Sequence, residues 1–215
     1  MRIGILGTGV VGQTIGAALV HRGHEVRLGS RTAKNAKAGD WVAANGERAS
    51  QGTFADAATF GAMVFNCTSG TASLEALHAA GIGNLAGKII VDVANPLDFS
   101  NGVPPTLSIC NTDSLAERIQ AEFPASKVVK TLNTMSSRVM TDPAAVPGEH
   151  DVFVSGNDPE AKAHVRELLQ SFGWRNIIDL GDITTARGVE MMLPVWLRLW
   201  GAFKTPLINF HFAHQ

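Results

Sequence analysis

The residues from Gly7 to Gly12 carry the spacing Gly-x-Gly-x-x-Gly, which suits the binding of phosphate groups. The apolar residues 3–6 precede them and an alanine-rich stretch with helical spacing follows, so the glycines join a predicted strand to a predicted helix. In that order the first glycine permits a tight turn, the second lets the backbone approach a pyrophosphate, and the third lets helix and strand pack closely. The helix amino terminus then offers N–H groups to the phosphates. The predicted dinucleotide-binding residues are Gly7, Thr8, Gly9, Val10, Val11 and Gly12. The alternative is a glycine turn in an ordinary β–α unit.

The tip of the second predicted strand indicates which dinucleotide would bind. Enzymes that use NAD usually carry a carboxylate there to hold the ribose hydroxyls. This chain has Ser30 and Arg31 at that place and Lys34 just beyond, whereas Glu25 lies at the other end of the strand. A guanidinium and nearby hydroxyls suit a 2′-phosphate, which a carboxylate would repel. We therefore predict NADP(H) as the cofactor, with Ser30, Arg31 and Lys34 at the phosphate. The alternative is that Arg31 and Lys34 are solvated residues at the start of the next helix.

Small polar residues follow three further predicted strands. In open α/β sheets ligands bind beyond the carboxyl ends of the strands, so these positions are candidate cofactor contacts. The first group could bond a ribose or the pyrophosphate, and the other two could flank the nicotinamide. Turn chemistry and helix capping are the alternative, because Ser, Thr and Asn serve both widely. The candidate contacts are Thr68, Ser69, Asn95, Pro96, Asn133 and Met135.

The strand-end loops contain no obvious group for acid–base or nucleophilic catalysis. The chain has no tyrosine, which excludes reductases that protonate a substrate through a Tyr hydroxyl. The loops also hold no evident His–Asp pair and no lysine-centred site, so we predict no catalytic side chain. His211 and His214 have a spacing that could ligate a metal, but a frayed polar tail is the favoured interpretation, and we predict no metal site.

The composition limits the classes of partner. With 215 residues the chain is long enough for one sizeable domain, and a net charge of −1 offers no general attraction for nucleic acid or an anionic membrane. No apolar stretch reaches the ~20 residues that cross a bilayer. The first predicted strand begins at once, so no secretory leader is expected. We predict a soluble cytoplasmic protein whose partner is a small molecule.

Strands and helices alternate from the start, which predicts an α/β fold: a Rossmann-type, doubly wound, mostly parallel sheet. Residues 34–45, 114–123 and 159–172 are predicted helices, and either Thr71 or Ser73 is predicted to cap a helix that ends at Ala80. We expect an NADP-binding domain over residues 1–182 and an apolar helical segment over residues 183–215, which could belong to the same domain.

The C-terminal segment is rich in aromatic and aliphatic residues. Trp196 and Trp200 lie one helical turn apart, with Phe203, Leu207 and Phe210 beyond them. Such a stretch is too apolar for a fully solvated face. It could serve core packing, a dimer interface or a lid over a flat substrate. We expect a homodimer contact combined with a wall of the substrate pocket.

Together these residues resemble the NADPH-dependent reductases of coenzyme F420, a 5-deazaflavin. Residues 1–12 match that family, and Ser30 and Arg31 match its 2′-phosphate site. Residues 130–135 are similar to a Phe-Asn-Thr motif of the family, with Leu132 in place of the aromatic residue. Residues 152–158 also recur in the reductase domains of the STEAP ferric reductases. The resemblance extends to about Arg187 and fades beyond it. It implies hydride transfer between NADP(H) and coenzyme F420, in which the two coenzymes carry the chemistry and the protein orients them.

Other functions fit the same residues. A STEAP-like flavin or ferric reductase and a reductase of small imines share the expected fold. A binding protein that senses NADPH without turnover would have the same residues at the cofactor. The sequence leaves the hydride acceptor open among these alternatives.

Overall fold

The computed structural model describes residues 1–213, and an extended β-sheet with helices on both faces organises them. The strands are β1 (Arg2–Leu6), β2 (Glu25–Ser30), β3 (Ala49–Thr53), β4 (Met63–Asn66), β5 (Ile89–Asp92), β6 (Leu97–Asp98), β7 (Thr106–Leu107), β8 (Lys127–Thr131), β9 (Asp151–Ser155) and β10 (Asn176–Gly181). Strands β6 and β7 form a separate antiparallel hairpin, and the others belong to the main sheet.

The helices connect successive strands across the faces of the sheet. They are α1 (Val10–His21), α2 (Ala36–Asn45), α3 (Phe54–Phe60), α4 (Ser73–Ala80), α5 (Ile82–Leu85), α6 (Leu115–Glu122), α7 (Ser137–Thr141), α8 (Pro159–Phe172) and α9 (Ala186–Phe203). Among the residues that the structure describes, none of these helices is long and apolar enough to cross a membrane.

The main sheet has the strand order β10-β9-β8-β5-β4-β1-β2-β3. Its neighbouring strands run parallel except for the antiparallel pair β8 and β9. The chain winds from β1 outward to β3 and then returns to the other side of β1 with β4. This reversal opens a crevice beyond the carboxyl ends of β1 and β4, where such sheets bind ligands. The predicted Rossmann-type, mostly parallel α/β fold is therefore confirmed, and a C-terminal helix is present.

The apolar runs that predicted strands are buried because helices cover both faces of the sheet. Ile3 and Ile5 point to one side, where α1, α2 and α8 supply residues such as Leu19 and Trp41. Leu6 points to the other side, towards α3, α4 and α6. Parallel strands buried on both faces read as continuous apolar runs, which is why the sequence showed β1, β4 and β5 plainly.

Two local predictions were wrong, and one strand was not predicted. Neither Thr71 nor Ser73 caps α4 through its side chain, since the N-cap position is Ala72 and Ser73 lies inside the helix. The sequence reading also missed β3, whose residues Ala-Ser-Gln-Gly-Thr lack the apolar alternation of a strand. The C-terminal helix ends at Phe203, because Lys204 adopts a left-handed conformation with φ of 55°, and residues 205–213 are not helical.

The boundary predicted between residues 182 and 183 falls between β10 and the 3-10 turn Ile183–Thr185. One sheet runs from β3 to β10, and α9 packs next to its carboxyl edge. Whether residues 183–215 are a separate segment stays a prediction.

Candidate functional site

A cleft of about 640 Å³ opens at the point where the chain direction reverses, beyond the carboxyl ends of β1, β2 and β4. We call the loops that form it, residues 7–12, 30–35 and 67–72, the cleft loops. Helix α4 supplies a further wall. The cleft is lined by Gly7, Thr8, Gly9, Ser30, Arg31, Thr32, Asn35, Phe54, Cys67, Thr68, Ser69, Ala72, Glu75, Ala76 and Ala79.

The three predicted glycines of the first cleft loop lie in different surroundings. Gly7 has φ of +116°, and a Cβ there would lie 2.6 Å from the carbonyl oxygen of Cys67. A Cβ on Gly12 would overlap the carbonyl oxygen of Gly7, so this glycine brings α1 close to β1. A Cβ on Gly9 would meet nothing within 4 Å among the described residues. Steric crowding therefore does not exclude a side chain at position 9. Gly9 suits the N-cap position of α1, and the open space above it also admits the close approach of an outside group.

The amino terminus of α1 faces the same loop. Its first hydrogen bond runs from the Gln13 N–H to the Gly9 carbonyl at 3.0 Å, so the amides of Val10, Val11 and Gly12 precede the helical ladder. Val10 is exposed, whereas Gly12 is buried. These residues can contribute backbone N–H groups and the positive end of the helix dipole, which together favour an anion.

The second cleft loop displays Arg31 at the tip of β2. The Ser30 hydroxyl donates to the Thr32 carbonyl at 2.6 Å and accepts from the Thr32 N–H at 3.3 Å, which folds the loop tightly. Arg31 is exposed and lines the cleft. Lys34 is exposed beside it but does not line the cleft, and Glu25 begins β2 at the far edge.

The third cleft loop holds the predicted contacts Thr68 and Ser69. The Thr68 hydroxyl donates to the side-chain oxygen of Asn66 at 2.6 Å, and the Ser69 hydroxyl pairs with that of Thr71 at 3.2 Å. Burial raises the pKa of the neighbouring Cys67 thiol, so it stays protonated and offers no thiolate nucleophile. The structure thus brings Gly7, Thr8, Gly9, Ser30, Arg31, Thr68 and Ser69 into one cleft.

The predicted contacts after β5 and β8 lie at the same sheet edge but outside the lining of the cleft. The Asn133 amide donates to the Asn95 side-chain oxygen at 2.9 Å and to the Val189 carbonyl at 3.0 Å, and the Asn95 amide donates to the Asn133 carbonyl at 2.8 Å. Pro96 and Met135 are buried. We call residues 92–96 and 130–135 the clamped loops, because their side chains bond one another and α9.

A buried charged cluster lies under the clamped loops. The Lys130 ammonium donates to Asp92 at 2.7 Å, contacts Glu190 of α9 at 2.8 Å, and also donates to the Ala94 carbonyl. Glu190 accepts from the Leu115 N–H at 2.8 Å, at the start of α6. This buried cluster was not anticipated from the sequence, which was searched for a lysine that could act in catalysis.

Lys130 stays charged although it is buried. Burial alone lowers the pKa of Lys130, but Asp92 and Glu190 outweigh burial and the net pKa is raised above its ordinary value. The three ammonium hydrogens have three acceptors, so the group stays charged and has no hydrogen left for a substrate. Lys130 therefore fixes the position of α9 rather than acting as an acid or base.

Asp92 and Lys130 could have been found from the sequence, and Glu190 could not. Asp92 ends the apolar run Ile-Ile-Val, and Lys130 follows Val-Val in the adjacent strand. A charge within a fully buried strand must be paired, so two opposite charges at neighbouring strand ends predict each other. Glu190 lies on a helix whose docking place no local pattern reveals.

The histidines do not form a metal site within residues 1–213, where no group of three or more potential ligands occurs. His150 bonds the carbonyls of Pro143 and Val146, and His211 lies 3.5 Å from Asp151. His214, the other half of the suggested His pair, lies outside the described residues, so that pairing stays untested.

Comparison with known proteins gives consistent matches. The family model described as NADP oxidoreductase, coenzyme F420-dependent, matches residues 2–96. A crystal structure of an Arthrobacter sp. FB24 protein assigned as an F420-dependent NADP reductase is 54% identical over the full length of both chains, with a TM-score of 0.95.

Two curated relatives are more distant. The rat metalloreductase STEAP3 is 30% identical over 207 residues, which cover 96% of this chain and 38% of that protein. The F420-dependent NADP reductase of Methanocaldococcus jannaschii is 34% identical over 116 residues, which cover 54% of this chain and 52% of that protein. The matched regions thus span about half or less of these two relatives.

Proposed function

Because the chain belongs to the family of coenzyme F420-dependent NADP oxidoreductases, we propose that it transfers hydride between NADP(H) and a planar coenzyme, most simply a 5-deazaflavin such as F420. Membership of this family makes the chain an NADP-dependent oxidoreductase. The proposal adds the identity of the hydride acceptor.

One observation carries the choice of cofactor: Arg31 is exposed at the β2 tip and lines the same cleft as Gly9. Gly9 leaves room for the pyrophosphate, and Arg31 would bind the 2′-phosphate of the adenosine ribose. Ser30 would support this site by folding the loop, because its hydroxyl hydrogen is bonded to the Thr32 carbonyl. Lys34 adds a cation nearby. A guanidinium binds a phosphate through two parallel N–H groups. It would bind the uncharged ribose hydroxyls of NAD more weakly.

Other parts of the cofactor would contact backbone more than side chains. The amides of Val10, Val11 and Gly12 would hold the pyrophosphate with Thr8, and Thr68 and Ser69 would face a ribose. Asn95, Pro96, Asn133 and Met135 would flank the nicotinamide through their main chain, since the two asparagine amides already bond each other. Bound NADPH supplies the hydride, so this chain need only orient two coenzymes and exclude water.

The cofactor proposal is tested by Arg31→Ala. The ratio of kcat/KM for NADPH over that for NADH should fall by about 10- to 150-fold, which corresponds to the ~1.5–3 kcal/mol of a hydrogen bond to a charged group. Arg48→Ala is the matched control, because Arg48 is exposed at the amino end of β3, away from the cleft. An unchanged ratio in the Arg31 variant would show that another group selects the cofactor.

The acceptor is tested by mixing the protein, NADPH and one candidate acceptor at a time while following the nicotinamide absorbance. Oxidation with a 5-deazaflavin alone supports the proposal. Oxidation only with a flavin and ferric iron would favour a metalloreductase, for which the similarity to STEAP3 over 96% of this chain is the supporting observation. Tight NADPH binding without NADPH oxidation by any of these acceptors would indicate a binding protein that senses NADPH.

We also propose that exposed apolar residues of α9 join two copies of the chain. Met191, Val195, Trp200 and Phe203 are exposed, whereas Leu193 and Trp196 are buried. Apolar and aromatic residues of this kind are typical of the centre of an interface. Static light scattering tests the proposal, since a monomeric mass would contradict it. A cytoplasmic location likewise stays a prediction.

A further inference from the structure

A continuous chain of hydrogen bonds leads from the buried charged cluster to the cleft. Lys130 bonds Asp92, and the other oxygen of Asp92 accepts from the Asn66 amide at 2.8 Å. Asn66 ends β4, is fully buried, and accepts from the Thr68 hydroxyl at 2.6 Å. Thr68 is the member of this chain that lines the cleft.

The charges fix the direction of each bond along that chain. A carboxylate paired with an ammonium has only acceptors, so Asn66 must turn its NH₂ group towards Asp92. The same NH₂ group donates to the Ser73 hydroxyl at 3.0 Å, which uses both of its hydrogens. The amide oxygen of Asn66 therefore faces Thr68, and at 2.6 Å the hydrogen between them must come from the Thr68 hydroxyl.

The consequence for the cleft is a hydroxyl that can accept but not donate. Thr68 has one hydroxyl hydrogen, which Asn66 takes, and two lone pairs. Ser73 lies 3.0 Å away and can use one of these lone pairs, or can donate to the Ser69 carbonyl at 3.1 Å instead. At least one lone pair of Thr68 is left for a ligand that donates.

We propose that Thr68 is a specificity-determining residue that accepts a hydrogen bond from the 3′-hydroxyl of the adenosine ribose. Phosphate oxygens only accept, so they do not match Thr68, whereas ribose hydroxyls donate. Thr68 shares its cleft with Ser30 and Arg31, the proposed 2′-phosphate site. The 2′-oxygen there carries the phosphate, which leaves the 3′-hydroxyl as the donor of that ribose. This inference rests on the proposed NADP site.

The test uses two probes, adenosine 2′,5′-bisphosphate and its 3′-deoxy analogue, and measures binding by titration calorimetry. Removing the 3′-hydroxyl should weaken binding to the unaltered protein by about three- to tenfold, the effect of one neutral hydrogen bond. Thr68→Val should weaken binding of the hydroxylated probe similarly and should no longer distinguish the two probes. Thr68→Ser keeps the hydroxyl and should restore the discrimination.

Controls separate this role from a structural one. Thr59→Val makes the same chemical change on the exposed side of α3 and should leave both affinities unchanged. Thermal unfolding shows whether Thr68→Val still folds, and Thr68→Ala, which also removes the hydroxyl, carries the test if it does not. Equal discrimination in Thr68→Val and the unaltered protein would overturn the inference alone. Failure of the unaltered protein to bind either probe would overturn the NADP site with it.

Discussion

The cleft loops and the clamped loops lie along one edge of the same sheet, and both place small polar and basic residues at the ends of buried strands. They use these groups in opposite ways. Arg31 and Gly9 face open space in the cleft, whereas Asn95 bonds Asn133, Asn133 bonds the Val189 carbonyl of α9, and Lys130 pairs with Asp92 and Glu190. The difference shows that residue type and strand-end position select candidates for binding, while only the partners of each group decide between binding a ligand and holding the fold together.

The largest effect that would test this comparison is expected for Lys130→Met. Removing the ammonium leaves Asp92 and Glu190 as two uncompensated buried carboxylates, and breaking a buried pair in this way costs about 3–5 kcal/mol. Urea unfolding should show that loss in the free energy of unfolding. We expect a smaller fraction of the variant to be folded. The fraction that is folded should still bind NADP⁺.

Lys127→Met is the matched control, since it changes the same residue type at the first position of the same strand. The Lys127 ammonium pairs with Asp158 at 2.9 Å near the surface, where solvent screens the charges. Its loss should be much smaller than that of Lys130. Similar stability of the two variants would mean that the clamped loops do not depend on their buried charges.

An intermediate effect is expected within the glycine loop, where Gly12→Ala and Gly9→Ala should separate stability from binding. A Cβ at position 12 overlaps the Gly7 carbonyl, and forcing extra volume into a packed site costs about 1–3 kcal/mol. Gly9 has φ of −77°, which alanine tolerates, and its Cβ would point into open space. Gly9→Ala changes the N-cap residue of α1, so it should lose some stability but less than Gly12→Ala. It should also lose NADP⁺ affinity by roughly tenfold, ~1.4 kcal/mol.

The measurements are urea unfolding and calorimetric titration with NADP⁺ on both variants. The comparison is sharpened if Gly12→Ala loses mainly stability and Gly9→Ala loses mainly affinity. A Gly9→Ala variant that binds NADP⁺ as tightly as the unaltered protein would instead show that the cofactor backbone does not pass over this residue.

The parts of the site that the sequence reveals are those encoded by neighbouring residues. The glycine spacing, the strand before it and the helix after it all lie within residues 2–21, so Gly7, Gly9 and Gly12 were identifiable, as was Arg31 at the next strand end. The parallel sheet was predictable for the same reason. Each strand and helix has its own apolar pattern.

The clamped loops could not be read in this way because their bonds join distant parts of the chain. Lys130 bonds Asp92, 38 residues earlier, and Glu190 bonds the Leu115 N–H, 75 residues earlier. From the sequence alone Asn133 has the same appearance as Ser69, a polar residue after a strand. Whether its amide is committed to Val189 depends on where α9 docks, which is a tertiary event.

The smallest predicted effect concerns the capping box that places Phe54 at the wall of the cleft. The Thr53 N–H donates to Asp56 at 2.8 Å and the Asp56 N–H donates to the Thr53 hydroxyl at 3.1 Å, at the start of α3. The hydrogen bonds from Thr53 lower the pKa of Asp56 below its ordinary value of 3.8. A carboxyl whose pKa is lowered by folding contributes stability that is complete above the ordinary pKa and is lost as the pH falls through the lowered one.

The melting temperature should therefore fall more steeply below about pH 4 in the unaltered protein than in Asp56→Asn, which has already lost the contribution at pH 7. Asp40→Asn, a change on the exposed side of α2, should keep the steep dependence. If Asp56→Asn follows the same acid profile as the unaltered protein, the capping box does not hold this side of the cleft.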